Sequence, residues 1–239
     1  MPNIYYALHN NYGYQTFFLF LKKNKMKKII LIGLITCLAT LSYSQKFSIS
    51  VGGNLANVSL GSDLEESFTS LGITKNGIIG VSGSFMSSFE IGDMMYLEPE
   101  LSFVQKGWAL SSELIDDDLQ WTFNFLELSP MLRYGVNEEF SIILGPVVGY
   151  ALSGTNDVGE IDNNGNTTIT TEEIDFEEAG LNQIDFGLNL GISFIINETL
   201  DFRTGYSLGF ADLDNSDFDN SSVKTNGIFL KIGYLFGDY

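Results

Sequence analysis

The feature that most constrains this chain is a pair of alternating segments in residues 182–211, joined by the polar turn Asn197-Glu198-Thr199. Apolar residues alternate with small or polar ones on both sides of the turn, as in the two strands of a β-hairpin. One face carries Phe186, Leu188, Leu190, Ile192, Phe194, Phe202, Tyr206, Leu208 and Phe210. The other carries Asp185, Gly187, Asn189, Gly191, Ser193, Asp201, Arg203, Gly205, Ser207 and Gly209. We interpret the segment as a transmembrane hairpin with a lipid face and a lumen face.

The composition of the less apolar face favours a membrane barrel over a soluble sheet, which alternates in the same way. A strand face in water should carry Thr, Lys, Glu and other sizeable polar groups, whereas this face is mostly Gly, Ser and Asn. Glycine weakens a strand interior and marks crowded positions, such as the inside of a narrow barrel. A soluble lipocalin-like barrel, the alternative, would place its apolar groups inside and its polar groups outside.

The first 44 residues have the composition of a targeting segment. Residues 26–44 are predicted to be a secretory signal peptide, with a basic start, an apolar core over residues 29–41 and small residues Ser42 and Ser44 for cleavage. We expect Met26 to be the true start, so that residues 1–25 are an upstream extension. Cleavage near Ser44 would leave one domain, residues 45–239. The single cysteine, Cys37, and the single histidine, His9, both precede that domain.

The charge of residues 45–239 excludes one class of partner. All 30 acidic residues of the chain lie there, against seven Lys and Arg residues, which gives a formal net charge of −23. Binding nucleic acid requires basic patches that neutralise phosphates, so no nucleic-acid partner is expected.

Eight strand candidates follow one another along this domain. They cover residues 46–58, 77–89, 95–110, 120–136, 140–153, 181–196, 200–212 and 223–236. The connections alternate between short ones (90–94, 137–139, 197–199) and longer acidic ones (59–76, 111–119, 155–180, 213–222), as expected for periplasmic turns and outer loops. The predicted fold is therefore all-β: an eight-stranded antiparallel up-and-down transmembrane β-barrel preceded by a signal peptide.

Aromatic residues on the predicted lipid face lie near the periplasmic strand ends, where rings favour the boundary between membrane and water. They are Phe47, Phe89, Tyr134, Phe140, Phe194, Phe202 and Phe236, with Tyr150 and Phe210 at the opposite boundary. Trp108 and Trp121 flank the second outer loop. Strict alternation points both inward, whereas a β-bulge would turn them outward.

Several segments together resemble the outer-membrane β-barrel domain family common in Bacteroidetes, often called the porin family or PorT-like. They are Phe125-Leu-Glu-Leu-Ser-Pro-Met-Leu-Arg-Tyr-Gly135, Leu144-Gly-Pro-Val-Val-Gly-Tyr150, Ile184-Asp-Phe-Gly-Leu-Asn-Leu-Gly191 and Leu230-Lys-Ile-Gly-Tyr-Leu-Phe236. The resemblance covers residues 46–239 and depends on the order and spacing of these motifs. It implies an eight-stranded barrel in the outer membrane of a Gram-negative bacterium, usually without a known ligand.

Charged residues recur at lumen-facing positions of the predicted strands. The lumen charge cluster is Glu98, Glu100, Glu127, Arg133, Asp185, Arg203 and Lys231, and Lys106 and Asp201 point inward as well. Because a charge in a narrow, dehydrated lumen must be paired or remain wet, we expect an internal salt-bridge plug in which Arg133 pairs with Glu100 or Glu98. A proton or ion path is the alternative. Side chains just fill the interior of an eight-stranded barrel, so an open diffusion pore is not expected.

Catalytic and metal-binding signals are weak in residues 45–239. Without histidine or cysteine, neither an enzyme nor a cofactor site is expected. The acidic loops lack the ligand spacing and glycine of a calcium loop, so no metal site is predicted. The leading function is a structural or interaction role for a monomer whose acidic loops meet outer-membrane lipid, lipopolysaccharide or an envelope protein partner. The alternatives are a narrow porin-like conduit for ions or small solutes and a soluble lipocalin-like periplasmic binder.

Overall fold

The computed structural model describes residues 46–112, 115–161, 167–215 and 222–237. The predicted upstream extension, the signal peptide and the cleavage point at Ser44 lie outside these residues. Within the described ranges, no helix is both long enough and apolar enough to cross a membrane.

The alternating segments of the sequence form strands of one antiparallel sheet. The strands are β1 (Lys46–Leu60), β2 (Ile73–Gly92), β3 (Met95–Ser112), β4 (Ile115–Gly135), β5 (Phe140–Ile161), β6 (Thr167–Glu173), β7 (Ile184–Ile196), β8 (Leu200–Gly209) and β9 (Val223–Phe236). One helix, α1 (Ser62–Ser70), lies between β1 and β2.

Eight of the strands close into a ring. The order is β4-β3-β2-β1-β9-β8-β7-β5, and a further pairing between β4 and β5 joins its two ends. A closed ring satisfies the backbone donors and acceptors of both strand edges, which hydrocarbon cannot do. The ring confirms the predicted all-β, antiparallel, up-and-down barrel.

A ninth strand and a helix occupy segments that the sequence predicts to be loops. β6 lies inside the predicted loop 155–180, and β5 continues past its predicted end at residue 153 to pair with β6 from Thr155↔Glu173 to Ile161↔Thr167. The Thr-rich β6 has good strand propensity but no apolar face, so a search for apolar alternation misses it. The loop prediction for 59–76 is wrong in the same way, because α1 lies there.

The two faces of the ring follow the predicted division. Large apolar side chains are exposed on the outside, from Ile79 (85% exposed) and Val51 (68%) to Leu190 (52%). Serines and charged residues are buried on the inside, where Glu98 and Asp201 are each 1% exposed. A lipocalin-like barrel requires the reverse arrangement, so that alternative is wrong.

Small residues let adjacent strands and side chains approach closely inside the ring. Gly191 of β7 lies opposite Gly205 of β8, and a Cβ added at Gly191 would fall 2.4 Å from the carbonyl oxygen of Thr204. This crowding explains why the inward face is rich in glycine, as expected for a narrow lumen. The outer face is crowded by rings instead: Phe47 stacks on Phe85 and Phe236, with centroids 6.0 and 5.8 Å apart.

The ring has two different ends. At the turn end, short connections join β2 to β3, β4 to β5 and β7 to β8, and Met94, Asn197 and Glu198 adopt positive φ angles of 57°, 50° and 58° there. The loop end carries α1, the β5–β6 hairpin and the segments 174–183 and 210–215. Because the two ends differ, the depth of each inward-facing residue can be given as its position between the turn end and the loop end.

Candidate functional site

The lumen holds all nine charged residues that strand parity points inward. Eight of them are at most 9% exposed, and Lys231 has a side chain 12% exposed. The structure places the predicted cluster Glu98, Glu100, Glu127, Arg133, Asp185, Arg203 and Lys231, together with Lys106 and Asp201, in two groups at different depths.

The first group, which we call the turn-end network, is centred on Glu98. The Arg133 Nε donates to Glu98 Oε1 at 2.6 Å, and Arg203 Nη2 lies 2.8 Å from Glu98 Oε2. Arg203 also donates from Nε to Asp201 Oδ2 at 2.6 Å. The sequence predicts Glu100 or Glu98 as the partner of Arg133, and the guanidinium of Arg133 contacts Glu98. The carboxylate of Glu98 therefore bridges β4 and β8 from its own strand, β3.

Neutral groups and a ring complete this network. Ser88 donates to Glu98 Oε1 at 3.1 Å, and Ser193 donates to Asp201 Oδ1 at 2.6 Å. The guanidinium of Arg133 lies over the ring of Tyr96, 3.9 Å from its centroid. The remaining pair, Lys231 and Glu100, joins β9 to β3 one step deeper. Three acids and three bases thus balance their charges at the turn end.

The second group, the loop-end triad, has one cation between two acids. Lys106 Nζ lies 2.6 Å from Glu127 Oε1 and 3.0 Å from Asp185 Oδ2. Thr225 donates its hydroxyl to the same oxygen of Asp185 at 2.6 Å, and the ring of Phe125 lies beneath the ammonium with its centroid 5.2 Å away. The triad links β3, β4 and β7, and it carries one more negative than positive charge.

Above the triad, an aromatic cap fills the loop end of the lumen. Trp108 is 7% exposed and stacks on Trp121 with centroids 5.5 Å apart, so both rings point inward. Phe123 packs against Trp108 on one side and against Phe176, from the loop segment after β6, on the other. The cap also includes Val58, Leu60, Leu64, Leu110, Phe125, Ala151, Ile174, Leu181, Leu213 and Val223.

Backbone hydrogen bonds hold the loop segments of this cap in place. Asn182 donates its amide to Leu213 O at 2.8 Å, and Leu213 donates to Val223 O at 2.8 Å. The Asp212 carboxylate accepts from the amide of Val223 at 2.8 Å. Strand periodicity does not predict this cap. The lone apolar residues Phe176 and Leu213 within acidic loops are the sequence feature that points to it.

Three cavities lie along the lumen below the cap. A vestibule of about 660 Å³ opens at the turn end, and Tyr96 and Arg133 are among its lining residues. A cavity of about 10 Å³ is bordered by Glu100, Arg203 and Lys231. A third, the mid-lumen cavity of about 40 Å³, lies between Lys231 and the loop-end triad. Among the described residues, no group of three or more His, Cys, Asp and Glu side chains could hold a metal ion.

A comparison with family models gives a match over most of the chain. A family model described as "Outer membrane protein beta-barrel domain" matches residues 41–215. The search of curated proteins returned no match.

Similar solved structures are small outer-membrane barrels. The attachment invasion locus protein Ail of Yersinia pestis is 14% identical, with a TM-score of 0.43 over 81% of this chain and 99% of that one. Neisserial surface protein A is 12% identical, with a TM-score of 0.44 over 80% and 97%. The outer membrane protein OprG of Pseudomonas aeruginosa is 16% identical, with a TM-score of 0.40 over 82% and 97%.

Proposed function

The chain belongs to the outer membrane protein beta-barrel domain family, and from this premise we propose that it is a sealed scaffold that presents acidic segments outside the outer membrane. The chain is a small outer-membrane β-barrel protein. The observation that carries the proposal is the filled lumen, in which paired charges occupy the lower part and stacked aromatic rings the loop end.

The filled lumen argues against transport. A solute that crosses would have to separate ion pairs at two depths, and removing one partner of a buried pair costs about 3–5 kcal/mol. It would then have to displace the Trp108–Trp121 stack, which loop segments cover. The narrow porin-like conduit is therefore the less favoured function.

The acidic loop-end residues indicate the kind of partner. The exposed acids there are Asp63, Glu65, Glu66, Asp118, Glu172, Glu173, Asp175, Glu177 and Glu178. Of the two lysines near this end, Lys75 donates its ammonium to Val58 O at 2.5 Å. The excess of acids favours a basic surface on an envelope protein partner, and divalent cations could bridge the same carboxylates to lipopolysaccharide phosphates.

Three further statements belong to this proposal. The barrel acts as a monomer. It is not an enzyme, which the lack of histidine and cysteine in residues 45–239 supports. The motifs quoted above support membership of the PorT-like porin family of Bacteroidetes. Residues 26–44 act as the signal peptide, with the turn end left in the periplasm.

Two experiments test the scaffold function. In planar bilayers, the refolded chain should give no steady single-channel currents, and steady currents would favour the conduit instead. In intact cells, a photo-crosslinker placed at Glu177 should capture a protein partner, and capture should weaken at high salt because exposed charges are screened. The same crosslinker at lipid-facing Leu190 is the matched control. Equal capture at the two positions would contradict a role for the acidic segments.

A further inference from the structure

The mid-lumen cavity has polar atoms that the protein itself leaves without partners. Ser82 is 8% exposed and lines the cavity, and its Oγ has no hydrogen-bond partner among the described residues. Asn54 and Asn189 line the same cavity, and within the described part of the chain their buried side-chain oxygens Oδ1 have no hydrogen-bond partner either. Leaving a buried polar group unsatisfied costs about 1–3 kcal/mol, so these three atoms together indicate a missing hydrogen-bonding component.

The size and chemistry of the cavity suit water. A buried water needs about 10–15 Å³ of such volume and two to four polar partners, so about 40 Å³ holds two or three molecules. Lys106 and Lys231 also line the cavity, and an ammonium has three protons to donate. Water can accept from these ammoniums and donate to the three unpartnered oxygens. A bare cation would lie between two ammoniums, and a bare anion would face the two amide oxygens of Asn54 and Asn189, whereas the Ser82 hydroxyl can donate as well as accept.

Successive lumen features share residues, which makes the polar region continuous. Arg133 borders the vestibule at the turn end and pairs with Glu98, which pairs with Arg203. Arg203 and Lys231 both line the cavity of about 10 Å³, which is large enough for about one water. Lys231 then lines the mid-lumen cavity, whose opposite wall includes Lys106 of the loop-end triad.

We propose that ordered water molecules fill the mid-lumen cavity and the cavity of about 10 Å³ and, together with the ion pairs between them and the vestibule, form one water chain that runs from the loop-end triad towards the turn end and stops beneath the aromatic cap. The two charge groups then belong to one hydrogen-bonded column. Only the closed end of this water chain rests on the sealed scaffold proposed above. Water would occupy the mid-lumen cavity whether or not the loop end conducts.

Water-to-protein magnetisation transfer in the isotope-labelled, refolded full chain tests this proposal. We expect cross-peaks at the water frequency for the side-chain amide groups of Asn54 and Asn189, and none for the buried indole N–H of Trp108. Ser82→Val should abolish the two cross-peaks, because the added methyl groups fill the cavity. Val81→Ile, at the neighbouring lipid-facing position, should leave them unchanged.

Each possible result of this experiment either supports or overturns the water chain. Absence of both amide cross-peaks in the unsubstituted chain, or their persistence in Ser82→Val, would overturn the water chain. If Ser82→Val does not refold, the spectra of the unsubstituted chain and of Val81→Ile still decide whether the site is wet. A strong water cross-peak at Trp108 would overturn the closed end while leaving the mid-lumen water intact. Bilayer currents bear on the scaffold function and not on the water chain, so the two failures are distinguishable.

Discussion

Replacing Arg133 with methionine should lower the free energy of unfolding of the barrel by about 3 kcal/mol. Removing one partner of a buried ion pair costs about 3–5 kcal/mol, because the other charge stays buried and uncompensated. The lower end applies here, since Glu98 keeps Arg203 at 2.8 Å and Ser88 at 3.1 Å. Methionine replaces the aliphatic stem of Arg133 but not its guanidinium, so the loss includes the cation–π contact with Tyr96 as well as the ion pair.

The triad supplies a comparison from which the size of the effect can be judged. Lys106→Met leaves both Glu127 and Asp185 without their cation, and the Thr225 hydroxyl then remains as a donor to Asp185. Two unpaired carboxylates in a narrow lumen cost more than one, so this variant should lose more stability than Arg133→Met. The order of the two variants follows from the contacts alone and does not depend on the absolute magnitude.

The assay is urea unfolding of the barrel from lipid vesicles, followed by fluorescence of Trp108 and Trp121, which the lumen shields until the barrel opens. The control is the double variant Glu98→Gln with Arg133→Met, which restores the charge balance because Arg203 keeps its pair with Asp201, and which should recover most of the loss. An unchanged midpoint in Arg133→Met would refute the view that paired charges stabilise the lumen. A double variant as unstable as the single one would refute it equally.

Five other substitutions, two matched pairs and one single variant, test the faces and the cap. Gly191→Ala should destabilise the barrel, because its Cβ would meet a carbonyl oxygen at 2.4 Å, whereas Gly83→Ala, with 3.8 Å available, should be tolerated; equal urea midpoints would contradict the crowded lumen. Leu190→Arg should cost about 2–4 kcal/mol at the middle of the lipid face and Ile196→Arg, at the strand end, about 0–1 kcal/mol, measured by refolding into vesicles; equal costs would argue against hydrocarbon contact. Trp108→Ala should cost about 3–5 kcal/mol in the same assay, and a cost near zero would show that the aromatic cap does not stabilise the loop end.

Strand identity and facing could be predicted from the sequence because the side-chain period of a strand is two. Once the hairpin at 182–211 set the parity, the inward direction of Asp185 and Arg203 followed, and the structure places both inside. The same rule pointed Trp108 and Trp121 inward. The β6 strand escaped prediction because Ile169 is its one apolar residue, so its sequence has no apolar alternation to detect.

Strand periodicity and composition are enough to identify the class of the molecule: a closed β-barrel with an apolar outside, a charged inside and acidic loops. Which of the inward charges meet depends on the three-dimensional arrangement of the strands. Ring closure and strand register bring Glu98 to Arg203 and Lys106 to Asp185, residues that lie far apart in the chain. Parity fixes the side of the sheet on which a residue lies, but depth along the lumen and the choice of partner across it depend on how all eight strands are staggered. The aromatic cap required the structure for the same reason, since loop residues reach it through contacts that no periodicity encodes.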